Sequence, residues 1–204
     1  MSYSEFSLNR VKKEFNLTEK KIKLFDSEKQ IEATDWLKQT LELSLDLALS
    51  SSSEKARSEF IVAPILLELE NINNKSFSIF SGENLEADPE KGLNGECDFI
   101  LSKGPISSTI QLPIFSLVEA KKNDVKEGLG QCVAQMLGAK IFTKNEGADF
   151  SFIYGCVTTG ETWQFMKLEN EMLFMDTRRY YINELGKLLW IFQHILDSYD
   201  KATD

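Results

Sequence analysis

Hydrophobic residues recur every fourth position at Leu37, Leu41, Leu45 and Leu49, the spacing of one helix face. Thr34 stands where a cap belongs, so the pattern predicts a helix from there to about Ser50. After the polar break 50–53, Ser53 is the expected cap of a second helix reaching about Glu70. Pro64 inside it is expected to end or kink a turn. Nearer the amino terminus, Phe6, Val11, Phe15, Leu17 and Leu24 read as anchors of a helix over 4–24, with Lys12, Lys13, Lys20, Lys21 and Lys23 among them, read as a solvated face in preference to a phosphate-binding one. Beyond residue 75 shorter apolar runs take over. Strands are predicted over 76–80, 96–102, 114–121, 150–157, 162–168 and 172–176, the last two as a hairpin around Glu169-Asn170-Glu171. Residues 82–95 are polar, with Asp88-Pro89 and Asn94-Gly95 as turn signals. Helices are predicted over 125–143 and 183–199. In the first, Gly130, Ala134 and Gly138 form a bare stripe suited to close packing on a sheet.

That order predicts an α/β protein: a central mixed sheet flanked by helices over 53–204 as one compact unit, with a helical extension over 1–52. A chain of 204 residues is long enough to bury one good core. No apolar run approaches the ~20 residues that span a bilayer, and the first residues lack the apolar core of a signal peptide, so no membrane role is expected. Cys97, Cys132 and Cys156 are widely spaced and lack C-x-x-C pairing, and His194 is the only histidine. A reducing cytoplasm is therefore expected, without a disulfide framework or zinc site. The net charge of -9 argues against a dedicated nucleic-acid binder. The charge is uneven: residues 51–100 hold 4 basic and 10 acidic side chains, and residues 101–150 hold 6 and 5.

Three ionisable groups interrupt the apolar strands. Asp98 sits within Cys97–Leu101, and Glu119-Ala120-Lys121 ends the run that begins at Ile114. An unpaired buried charge costs several kcal/mol or more, so these residues need partners, a metal or a function. Residues two apart on a strand share a face, which puts Glu119 and Lys121 together and turns Ala120 away. An acid on one strand beside an acid and a lysine on the next makes a cage for a divalent cation and a phosphate.

Gly95-Glu96-Cys97-Asp98, then Glu119-Ala120-Lys121, then a helix bearing Gln131 and Gln135, resembles the PD-(D/E)XK nuclease superfamily with its restriction-endonuclease-like fold. The leading-helix segment Glu54-Lys55-Ala56-Arg57, with Phe60-Ile61 and Pro64-Ile65-Leu66, is similar to the nuclease domain of type I restriction subunits. The likeness covers about 53–168. Around LNGECDFI and VEAKK the whole chain also resembles cyanobacterial proteins of this class. Cys97 departs from the pattern, where proline often stands.

The resemblance implies a DNA nuclease in restriction, defence or repair that uses Mg²⁺ or Mn²⁺. Asp98 and Glu119 would be metal ligands, with the Ala120 carbonyl as a third. Lys121 would orient the attacking water or stabilise developing charge. A helix acid would join them. Glu54 fits the E-x-x-R pattern, while Glu59 shares a face with Val62, Ala63 and Leu66 and is preferred because that face should meet the sheet. Gln131 and Lys126 are the expected substrate contacts. Two other readings compete: a catalytically silent binding or interaction module on the same fold, and an interaction protein burying the leucine stripe of 36–49 in a second copy or partner subunit. His194 reads as a packing or surface residue, and Arg178-Arg179 beside Tyr180-Tyr181 as a strand-to-helix cap rather than a base-stacking pair.

Overall fold

Apolar side chains on both faces of the strands call for a helical layer on each side, and the computed structural model has both. It describes residues 1–25, 28–104, 106–148 and 150–203. A 3-10 turn (Tyr3–Glu5) leads into α1 (Leu8–Glu14), β1 (Thr18–Ile22), α2 (Asp35–Ser50), α3 (Glu54–Arg57), a π-helical turn (Ser58–Val62) and α4 (Ala63–Ile72). Next come β2 (Phe77–Asn84), β3 (Glu96–Lys103), β4 (Ile114–Ala120) and α5 (Val125–Asn145). The chain continues through β5 (Phe152–Thr158), β6 (Thr162–Glu169), β7 (Met172–Asp176), β8 (Tyr180–Tyr181) and α6 (Leu185–Thr203). Among the described residues the strands form one mixed sheet, ordered β1-β7-β6-β5-β4-β3-β2, with β8 beside β6. β2, β3 and β4 run antiparallel in turn, β4 and β5 are parallel, and β1 pairs in parallel with β7. The expected class, a mixed sheet flanked by helices, is the class observed.

Strand alternation divides the core. Tyr154, Cys156, Trp163 and Phe165 join a cluster built with α2, α4 and α6. Ile153, Val157, Met166 and Leu168 join another, built with α5 and the first seventeen residues. Gly155 lets α5 settle on the sheet, because a Cβ there would meet Met136 Sδ and Cys132 Sγ. No helix among the described residues is long and apolar enough to cross a membrane.

The helix expected over 4–24 is corrected. Asn16 adopts a left-handed φ of 54°, which ends α1, and Thr18–Ile22 then pairs residue by residue with Met172–Asp176. Nothing local in Thr-Glu-Lys-Lys-Ile demands a strand, so distant pairing decides it. The 1–52 segment is thus not purely helical, and it supplies one edge of the sheet. The bare stripe is also corrected. A Cβ at Gly130 would collide with the backbone of Phe6–Leu8, and one at Gly138 with the Tyr3 ring. The stripe receives the amino-terminal segment, because Cys132 and Met136 already occupy the helix face toward the sheet. Gly130→Ala is expected to destabilise the fold by about 1–3 kcal/mol, overpacking outweighing the ~1 kcal/mol of helix propensity that alanine adds. Chemical denaturation measures it, and an unchanged midpoint would refute this packing.

Pro64 neither ends nor replaces its helix. It has no N–H for the Phe60 carbonyl four residues back, and the Ser44 hydroxyl of α2 donates to that carbonyl at 2.7 Å. The π turn takes up the irregularity and α4 continues to Ile72. Within the leucine stripe, Leu37 and Leu41 are buried in this chain's own core. His194 stacks on Trp190 at 5.1 Å and meets Phe25 edge-on, as a packing residue does. Tyr180 belongs to β8, its hydroxyl donating to Asp176 at 3.0 Å, while Arg178 and Arg179 are exposed.

Candidate functional site

Strand register builds the site. Phe99 lies opposite Val118, so one rung further Asp98 and Glu119 reach the same ends of β3 and β4. Asp98 Oδ2 accepts the Ala120 N–H at 2.7 Å, pinning one acid across the strand gap. Glu119 faces α5 and is 1% exposed. Gln135 Nε2 donates to its Oε2 at 2.8 Å, and Lys121 Nζ donates to its Oε1 at 2.8 Å. Lys121, whose side chain is 15% exposed, lies 3.9 Å from Glu54 Oε2. Its Nζ also donates to Gln131 Oε1 at 3.2 Å. A Cβ on Gly128 would strike Val157 and crowd the Lys121 stem, so that glycine makes room for the lysine.

The expected residues are distributed as follows. Asp98, Glu119, Lys121 and Gln131 line one cavity of about 290 Å³, together with Glu54 and Glu96. The helix acid beside Lys121 is Glu54, which also accepts the Lys122 N–H at 3.3 Å. The expectation that Glu59 turns toward the sheet is corrected: its side chain is 54% exposed and pairs with Lys55 at 3.7 Å. The π turn holds one residue more than an α turn, which shifts the face that carries Val62 and Leu66 inward away from Glu59. Glu59 lines an adjoining cavity of about 470 Å³ that shares Glu54, Glu96 and Asp98. Ala120 is buried, with its N–H committed to Asp98. Lys126 is exposed in the first turn of α5, its backbone N–H capped by Asp124 at 3.0 Å.

The electrostatics follow from burial. Desolvation pushes Glu119 up to about 7, the nearby Asp98 carboxylate adds to the rise, and Lys121 and Gln135 restrain it. Desolvation also raises Asp98, against the Ala120 N–H and the Lys121 charge. Burial pulls Lys121 down, but Glu119, Glu54 and Asp98 outweigh it, and its net shift is upward. Two acids that resist ionisation beside a single ammonium describe a site short of positive charge.

Neither a scan against protein-family models nor a search of curated proteins finds a match to this chain.

The donor set defines what the site can hold. Among the described residues no three His, Cys, Asp or Glu side chains are arranged around a common metal position. Mg²⁺ is commonly bound by only one or two protein carboxylates, with waters and substrate oxygens completing the shell. Asp98 and Glu119 fit that demand. Gln135 Oε1, buried and without a hydrogen-bond partner, adds an uncommitted acceptor beside them.

Sequence reasoning missed several of these groups. Gln135 was read on the helix that follows the acid pair but given no role, although it stands four residues after Gln131, one helical turn on, and that periodicity was a usable signal. Glu96 shares the strand face of Asp98 by period two. Ser2, Tyr3 and Ser4 also wall the cavity. They gave no local signal, because they arrive through packing of the amino-terminal turn on α5.

Proposed function

We propose that this chain is a metal-dependent nuclease of the restriction-endonuclease-like class, hydrolysing DNA phosphodiesters at Asp98, Glu119 and Lys121. The observation that carries this reading is a buried acid at the end of β4, bridged to a lysine two residues on and flanked by a second acid from β3. The order of helix, three antiparallel strands, helix and a strand parallel to the third supports the fold assignment. Restriction, defence or repair in the cytoplasm is the setting this reading suggests.

Asp98 and Glu119 would hold Mg²⁺ or Mn²⁺, with the Ala120 carbonyl available and Glu54 the helix acid best situated to join. When bound, such an ion supplies positive charge at the phosphate and a more acidic water. The chain's own residues do the rest. The Ala120 N–H keeps Asp98 turned into the cavity. Gln135 fixes one Glu119 oxygen. Gln131 and Glu119 hold the Lys121 ammonium, which stabilises the charge that develops on the scissile phosphate.

The test is thermal melting with and without millimolar Mg²⁺ or Mn²⁺, run beside cleavage of DNA. An ion bound only by the folded state adds about 2.7 kcal/mol at a hundredfold excess over its dissociation constant. A melting temperature indifferent to both ions would remove the main support for the enzyme. The catalytically silent module is the second reading, favoured by the Lys121–Glu119 ion pair and the net charge of -9. It predicts no cleavage under any ion.

A further inference from the structure

The lysines of the first 25 residues are not spread at random over the fold. That stretch holds 6 basic and 3 acidic side chains in a chain of net charge -9. It begins at the candidate site, where Ser2–Ser4 form one wall of the cavity. It then crosses α5 as α1, seated over Gly130, and ends as β1 on the open edge of the sheet. Arg10 and Lys12 are taken up by Glu14 and Glu19. Lys13, Lys20 and Lys21 are exposed and enter none of the ion pairs found among the described residues. Lys21, opposite Met175 of the α5-side cluster, shares a face of β1 with Glu19, and Lys20 lies on the other face.

We infer that this amino-terminal surface is where a DNA strand leaving the site is held, with Lys13 and Lys21 contacting its phosphates. The inference rests on the nuclease reading for the strand's identity and deepens it by naming the surface. Three features of the fold carry it. Segregated positive charge on an acidic protein attracts a polyanion locally while the rest repels it. The surface is continuous in sequence with the cavity wall, so a strand seated at the site meets it next. The reach is also suitable. β1 lies four strands from β4 in the sheet order, roughly 19 Å at ~4.8 Å per strand. That is on the order of six nucleotides of stacked strand at ~3.4 Å axial rise each. Lysines on an edge strand also discourage strand addition by another chain, but that role does not need Lys13 on the preceding helix.

The test compares two double variants that remove equal charge. Lys13→Ala/Lys21→Ala strips the surface. Lys75→Ala/Lys144→Ala removes two exposed lysines from other parts of the fold. Fluorescence anisotropy follows binding of a labelled single-stranded DNA of about twenty nucleotides across a salt series. Each variant is made in the Lys121→Ala background so that the probe stays intact. The first should weaken binding severalfold and lower the slope of log affinity against log salt by about 1.4, at ~0.7 per lost phosphate contact. The second should leave both unchanged. Equal losses from the two pairs, or no loss from Lys13→Ala/Lys21→Ala, or no binding at low salt by the parent, would overturn the inference. The nuclease reading is scored separately on the unsubstituted protein. Lysine-dependent binding without cleavage would support this surface and sink the enzyme. Cleavage with unaltered binding in the Lys13/Lys21 pair would do the reverse.

Discussion

Lys121→Ala is expected to slow phosphodiester cleavage by on the order of a hundredfold or more while leaving divalent-ion binding in place, as for other groups that stabilise transition-state charge. The separation follows from the site. Lys121 Nζ sits 2.8 Å from Glu119 Oε1, so it competes with a cation for that oxygen and its loss does not remove a ligand. Asp98→Asn and Glu119→Gln should behave differently, losing the ion response and the activity together. Single-turnover cleavage paired with melts at several Mg²⁺ concentrations distinguishes the two patterns. Equal rates for Lys121→Ala and the parent would point to a contaminating nuclease. Loss of the Mg²⁺ response in Lys121→Ala would mean that the lysine builds the ion site rather than serving the reaction.

The second large effect is on stability. Glu119 is pushed up to about 7 in the folded protein, chiefly by burial, whereas an unfolded glutamate titrates near 4.3. Between these values the folded state binds the extra proton, so stability without metal falls as pH rises from about 4 to 7 and is regained on acidification. A shift of that size corresponds to roughly 4 kcal/mol at most. The raised Asp98 acts with the same sign. Lys121, raised above its ordinary value, adds stability that is lost only at alkaline pH, outside this window. Added Mg²⁺ should oppose the trend, stabilising most at high pH because a cation needs the deprotonated carboxylate. Glu119→Gln should flatten the pH dependence and abolish the Mg²⁺ response. Melts of parent and variant across that range decide it, and an identical slope in both would rule out Glu119 as the titrating group.

The middle of the molecule was legible from sequence because local signals agree there. The strands around Asp98 and Glu119 read correctly from apolar runs, and period two correctly paired Glu119 with Lys121 on one face. Thr34 caps α2 as read, accepting the Leu37 N–H. The failures are of two physical kinds, long-range packing and one local irregularity of helix winding. Thr18–Ile22 is a strand only because β7 lies beside it. Gly130 and Gly138 are bare for a segment more than a hundred residues away, not for the sheet. Glu59 was misdirected by a π turn that uniform helical spacing does not anticipate. Ser2–Ser4 joined the cavity through tertiary packing alone.

The parallel pairing of β1 with β7 joins the two ends of the chain. Such contacts carry a large loop-closure cost and form late. During synthesis from the amino terminus, β1 must wait, extended and lysine-rich, until β7 has been made. Until the two meet, β7 presents an unfilled row of backbone donors and acceptors, and its Met-Leu-Phe-Met sequence lacks charge. That stretch is therefore the part of a nascent or partly unfolded molecule most exposed to pairing with a neighbour. Docking of β1 ends the hazard by placing lysines at the outermost position.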